Sequence, residues 1–275
     1  MEERRRWEEM DMDCLVNIFQ RLGLEDLTLG VPFLCKSWYR ASLDPLCWRV
    51  LDLEPLDFMP WSKFTKRFMT QYSLHHFSFS GFMKLVAMRS RGSAIELRFP
   101  PVFGASMHDL FHASSDRWPG LKKVVLPNLL MEDEVHIPEL VAKWKELELL
   151  EMQSKPASFS EMVTEISRNC KNFAGLRMFG SIKKDDVLAI VRLLPKLKHL
   201  CFDKSYLPKE QLLMIMDGCK ELEKLSVKDC IGFEADEEVM RKTSGIKIFE
   251  SEGSKLFDDS GYDTDECDPL YVHVI

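Results

Sequence analysis

The chain has 275 residues, 45% hydrophobic and 29% charged, with a formal net charge of −7. This is the composition of a globular protein long enough to bury a core in one or two domains, and it excludes global disorder. The charge is uneven: between Glu250 and Asp268 eight acids stand against one lysine, so the rest is neutral overall, which argues against a nucleic-acid-binding body.

The first residues, "MEERRRWEEMD", mix both charge signs and lead into no apolar run, so they do not form a secretory signal. The longest apolar stretch, "VLAIVRLLP" (187–195), is broken by Arg192 and is too short to cross a bilayer. A soluble chain of the nucleus and/or cytoplasm is expected, with no membrane partner. Cysteines stand at 14, 35, 47, 170, 201, 219, 230 and 267 without any Cys-x-x-Cys pair, so zinc modules and disulfides are not expected, nor is any cofactor.

The elements begin with helices. Leu15, Ile18, Phe19 and Leu22 recur at helical spacing, and Gly23 makes a turn. Glu25-Asp26 can start a second helix, and a third carries Cys35, Trp38 and Tyr39 before Pro45 ends helical structure and Trp48 follows. Three short helices cannot bury so many large apolar groups alone, so some should meet another protein. The stretch resembles an F-box. That family's pattern runs L-P-x-[DE]-[LI]-L-x-x-I-F-x-x-L, then D-L, V-C-K-x-W and D-P-x-x-W. This chain has "MDMDCLVNIFQRL" (10–22), "EDL" (25–27), "LCKSWYRASLDP" (34–45) and Trp48. It departs where the family's Leu-Pro is Met10-Asp11, and at Cys14. The resemblance implies that residues 4–50 dock on a Skp-type adaptor and, through it, on cullin and RING subunits. Met10, Leu15, Ile18, Phe19, Cys35, Trp38 and Trp48 would face or support that adaptor.

Next, "VLDLEP" (50–55) suits a first strand, "FMKLVAMRS" (82–90) a helix and "AIELRF" (94–99) a strand, while 100–118 is expected to be an irregular insertion. Five segments then fit L-x-x-φ-x-φ, with φ apolar: "LKKVVL" (121–126), "LELLEM" (147–152), "LRMFGS" (176–181), "LKHLCF" (197–202) and "LEKLSV" (222–227). A sixth, "IKIFES" (246–251), is partial. Their starts lie 26, 29, 21, 25 and 24 residues apart, the spacing of leucine-rich repeats. Between them, "SFSEMVTEISRNC" (158–170), "KKDDVLAIVRLL" (183–194) and "LPKEQLLMIMDGC" (207–219) each carry one apolar stripe, with Ser160 able to cap the first and Pro208 suited to the opening turn of the third. No strand–helix unit of this kind is stable alone, but stacking makes a continuous core. The expected fold is α/β: a small N-terminal three-helix F-box, then a curved leucine-rich-repeat solenoid over 51–250, then an acidic, disordered tail over 251–275.

Strand residues between the apolar positions should be exposed on the concave side: Lys122, Lys123 and Val125; Glu148 and Glu151; Arg177; Lys198, His199 and Cys201; Glu223, Lys224 and Ser226. Of these Lys122, Glu148, Arg177, Lys198, His199 and Glu223 are the candidate target-binding residues. Their mixed signs imply no single charged partner. His108 and His112 are four apart but lack the glutamate and third ligand of a zinc-protease site. The tail lacks the glycine and terminal glutamate of a calcium loop, and its Ser260 and Thr264 stand among acids, a setting for phosphorylation.

An F-box followed directly by leucine-rich repeats resembles the F-box/LRR proteins abundant in plants. The resemblance implies a substrate-recognition subunit of an SCF-type E3 ubiquitin ligase whose repeats bind a target protein. Such a receptor does no bond-making chemistry, and no nucleophile–base pair or metal cluster is visible in the sequence. The alternative is a protein-interaction scaffold whose F-box-like module no longer joins a ligase.

Overall fold

The computed structural model describes residues 7–100 and 117–257. The insertion at 100–118 with its two histidines, Ser260, Thr264 and the C-terminal segment therefore lie wholly or mostly outside the described residues. Eight parallel strands form one sheet in sequence order: β1 (Val50–Asp52), β2 (Glu96–Arg98), β3 (Lys123–Val125), β4 (Leu149–Glu151), β5 (Gly175–Arg177), β6 (His199–Cys201), β7 (Lys224–Ser226) and β8 (Ile248–Glu250). With the helices that follow most strands, this is an α/β leucine-rich-repeat solenoid behind a helical N-terminal module.

Register follows from which side chains can turn inward. The strand centres Leu51, Leu97, Val124, Leu150, Leu176, Leu200, Leu225 and Phe249 stand in one row. Three residues before each centre a second row runs through Trp48, Ala94, Leu121, Leu147, Phe173, Leu197, Leu222 and Ile246, and all but Ile246 are buried. Two residues after the centres a third runs from Leu53 through Phe99, Leu126, Met152, Met178 and Phe202 to Val227, all buried. Each interior leucine contributes about 2–3 kcal/mol by leaving water. Backbone bonds repeat with the same period: the N–H groups of Glu148 and Leu149 both donate to Lys122 C=O, those of Ala174 and Gly175 to Glu148 C=O, and those of Lys198 and His199 to Ala174 C=O.

This register corrects the third repeat. Its segment is "FAGLRM" (173–178), not "LRMFGS" (176–181): Leu176 pairs with Leu150 and Leu200, so it holds the strand centre and Phe173 the first position. The starts from 121 onward are then 26, 26, 24, 25 and 24 residues apart. Cys170 falls three residues before its repeat's first position, like Trp118, Trp144, Leu194 and Cys219, and all five are buried. The opening position of the first repeat is Trp48, which also closes the N-terminal module.

The helices lie where apolar stripes put them: Phe159–Asn169, Lys184–Leu193 and Lys209–Gly218. Their starts differ from expectation. Ser158, not Ser160, occupies the first N-cap, and its hydroxyl donates to the Glu134 C=O rather than accepting from its own helix. Pro208 stands at the N-cap of the third, one residue before the first turn. Between β1 and β2 the chain inserts two helices, Lys63–Gln71 and Phe79–Ser90, capped by Ser62 and Ser78. Phe58, Phe64, Phe68, Phe77, Phe79 and Phe82 pack around one another there, with centroid separations from 5.1 Å (Phe58–Phe79) to 6.5 Å (Phe64–Phe77).

Candidate protein-interaction surfaces

The first surface belongs to the N-terminal module. Its opening helix, Met12–Phe19, is capped by Asp11, whose carboxylate accepts the Asp13 N–H at 2.9 Å. The acid where the F-box pattern has proline thus has a local role: it satisfies a helix-start donor. Leu15 and Phe19, each 1% exposed, fall on the inner side with Val16, while Ile18 is 43% exposed. The expected second helix is a single π turn over Asp26–Gly30 followed by a 3-10 turn, Val31–Phe33. Helical structure does not end at Pro45 either. Pro45–Trp48 is a further 3-10 turn, begun by Asp44 accepting the Leu46 N–H.

The seven sequence-derived residues divide by burial. Leu15, Phe19 and Trp48 are interior and support the module. Trp48 donates its indole N–H to the Ser42 C=O at 2.8 Å. Met10, Cys35 and Trp38 are half-buried. The Trp38 ring meets Phe19 edge-on at 5.4 Å and its Nε1 donates to the Trp7 C=O. The Cys35 thiol lies 3.2 Å from the Ser37 hydroxyl, a hydrogen bond that lowers its pKa. Ile18 alone is at the surface. The sequence reading missed Met12, Phe33, Leu34, Tyr39 and Leu46, all exposed large apolar groups of this module. The inward stripe of Leu15, Val16 and Phe19 was the available signal for Ile18, which it turns away from the interior; Met12 falls on that stripe by spacing and is exposed at the first residue of the helix.

The second surface is the concave face of the sheet. Lys122, Glu148, Lys198 and Glu223 each stand one residue before a strand, along one rim, and they pair there with their neighbours: Lys122 with Glu148 at 2.7 Å, Lys198 with Glu223 at 3.7 Å, and Glu223 with Lys247 at 2.7 Å. Of the six candidate target-binding residues only Arg177 and His199 lie on the face itself. Val125 and Ser226, expected to be exposed, are buried.

Across the face, charges alternate from strand to strand: Arg98 with Glu96, Glu96 with Lys123 at 3.3 Å, Lys123 with Glu151 at 2.8 Å, and both Lys224 and Lys228 with Glu250 at 3.0 and 2.9 Å. Between Leu149 and Glu250 the face dips into an open basin of about 360 Å³, bordered by Arg177, His199, Cys201, Asp203, Lys224 and Lys228 among others. Burial pushes the Asp203 carboxyl up. The Ser226 hydroxyl at 2.7 Å, the Lys228 N–H at 3.0 Å, the Cys201 thiol at 3.1 Å and the Arg177 charge together outweigh it and hold the pKa below the usual carboxylate value. Hydrogen bonds from Lys228 and Lys224 hold Glu250 at about 2. Burial raises the Cys201 pKa, so this thiol is a donor to Asp203 rather than a nucleophile.

A helical module that joins a leucine-rich-repeat solenoid through one shared tryptophan defines an F-box/LRR architecture. The chain is 32% identical over 263 residues to an F-box/LRR-repeat protein of Arabidopsis thaliana, covering 89% of this chain and 83% of that protein. It is also similar to the F-box protein FBW2 (28% over 250 residues; 87% of this chain, 73% of the relative) and to the F-box protein SKIP19 (24% over 270 residues; 96% and 83%), both from the same plant. No family model matches the chain. The chain belongs to the F-box/LRR-repeat protein family.

Proposed function

We propose that the chain is the substrate-recognition subunit of an SCF-type E3 ubiquitin ligase, acting in the nucleus and/or cytoplasm. Its N-terminal module docks on a Skp-type adaptor and, through it, on cullin and RING subunits, and its repeats hold a target protein. The observation that carries this reading is the division within the F-box. Leu15, Phe19 and Trp48 make its interior, while Met12, Ile18, Phe33 and Leu34 keep large apolar groups in solvent. Such groups supply interface energy when covered. The receptor performs no bond chemistry. It raises the effective concentration of a target lysine near a loaded conjugating enzyme.

The test is co-purification of the full chain with a Skp-type adaptor. Ile18→Asp with Leu34→Asp is expected to abolish the stoichiometric complex without lowering thermal stability. Arg177→Gln is expected to leave it intact. Failure of the unaltered chain to bind any Skp-type adaptor would instead leave a protein-interaction scaffold.

A further inference from the structure

Among the charged side chains of the concave basin one is held only by long ion pairs. Glu151 is taken by Lys123 at 2.8 Å, Asp203 by Ser226, the Lys228 N–H and Cys201, and Glu250 by Lys224 and Lys228. The Arg177 guanidinium comes only within 3.9 Å of Glu151 and 4.0 Å of Asp203, and it donates no hydrogen bond among the described residues. It is 47% exposed and lies over the Phe179 ring at 5.7 Å, with donors left to solvent. The charged side chains that line the basin balance, with Arg177, Lys224 and Lys228 against Glu151, Asp203 and Glu250, and Arg177 is the one among them without a hydrogen bond of its own among the described residues.

Next to Arg177 on the same strand is Gly175. A Cβ there would stand 2.3 Å from Leu149 Cδ1 and 3.5 Å from His199 Cβ. The missing side chain therefore lets Leu149 lie across the strand as an apolar floor. The result is a low apolar step beside a guanidinium whose N–H groups make no hydrogen bond among the described residues, in a basin of about 360 Å³, space for one or two side chains.

We infer that this basin recognises a target through an aspartate or glutamate side chain that pairs with Arg177, next to a small or apolar residue seated on Leu149 over Gly175. The occupant is a segment of a partner protein, because the anchor is one guanidinium and one apolar step rather than an enclosed cavity. Arginine binds a carboxylate with two parallel N–H···O bonds, so the geometry selects a planar acid. The inference rests on the reading that the repeats hold targets.

The test is selection of a random-peptide display library on the immobilised full chain, followed by affinity measurement of the enriched peptides by fluorescence anisotropy. Supporting results are a consensus containing Asp or Glu and at least tenfold weaker binding to Arg177→Gln. Arg177→Lys should restore part of that loss, and Gly175→Ala should weaken binding severalfold, with all variants melting like the parent. Lys122→Gln, on the rim, should change nothing. Acid-free peptides that are nevertheless lost with Gly175→Ala would overturn the arginine anchor and leave target recruitment standing. Peptides indifferent to every basin variant would overturn the basin as the recognition site and leave target recruitment to another face. A consensus that appears only when the chain ends at Phe257 would place the chain's own acidic segment 258–268 on Arg177, and would likewise overturn recognition of a partner.

Discussion

Trp48 is the point at which a stability measurement can separate packing from hydrogen bonding and can test whether the two parts of the chain are one unit. Its side chain is 1% exposed, fills the first position of the first repeat and donates to the Ser42 C=O at 2.8 Å. An indole of this kind buries about 150–250 Å², worth roughly 4–6 kcal/mol at 25 cal/mol per Å² as an upper bound. Partial collapse around the vacated space brings the expected cost of Trp48→Ala to about 3–5 kcal/mol. Trp48→Phe keeps most of the ring but orphans a buried carbonyl, so about 1–2 kcal/mol is expected. Urea unfolding followed by circular dichroism gives both values, and amide exchange shows where protection is lost. Protection should fall together in the helix Met12–Phe19 and in β2, because the same side chain packs in the module and in the repeat row. The reasoning fails if Trp48→Ala costs less than about 1 kcal/mol, or if only one side loses protection.

Other outcomes follow from single sites. Gly232 has φ +113°, and a Cβ there would stand 2.9 Å from the Leu207 C=O, so Gly232→Ala should cost about 1–3 kcal/mol in the same assay. Glu250 is held at about 2 against an ordinary 4.5, so its contribution to the last repeat is complete above 4.5 and lost as pH falls through about 2. Exchange protection of β8 should decline over that range, and Glu250→Gln should flatten the decline. Burial pushes the Cys47, Cys170, Cys219 and Cys230 thiols up to about 11, whereas Cys14 is exposed and Cys35 is lowered by Ser37. Brief alkylation of the native chain at neutral pH, read by mass spectrometry, should label Cys14 and Cys35 before those four.

The repeat period was legible because a buried residue is demanded every 24 to 27 positions from Ala94 onward, and most of those positions hold leucine. The third repeat misled because Phe173 fills a leucine's place while Leu176 and Phe179 imitate the pattern three residues later. Uneven intervals of 29 and 21 were the trace of that slip. The helices between Leu53 and Ala94 were only partly visible, since their phenylalanines come from two helices and the loops around them and follow no single period. At the concave face the sequence could say which residues lie near the strands. It could not say that those just before each strand pair along a rim, because that depends on the strand-to-strand register. Arg177 was named for its exposure, but that it has only long ion pairs shows once Asp203, just beyond the end of β6, is seen to be satisfied by Ser226 and the Lys228 backbone.

The passage from Trp48 at the end of the module to Val50 at the start of β1 leaves no room for a hinge. Adjacent strands lie about 4.8 Å apart, so the basin around β5 is held roughly 20 Å from the first strand and cannot swing about a tether. The solenoid is in effect a ruler: inserting or deleting one repeat ahead of the basin would move a bound protein by one graduation, about 5 Å, and turn it slightly. On the proposed receptor reading, reach toward a target lysine would be set by counting repeats rather than by the length of a flexible arm.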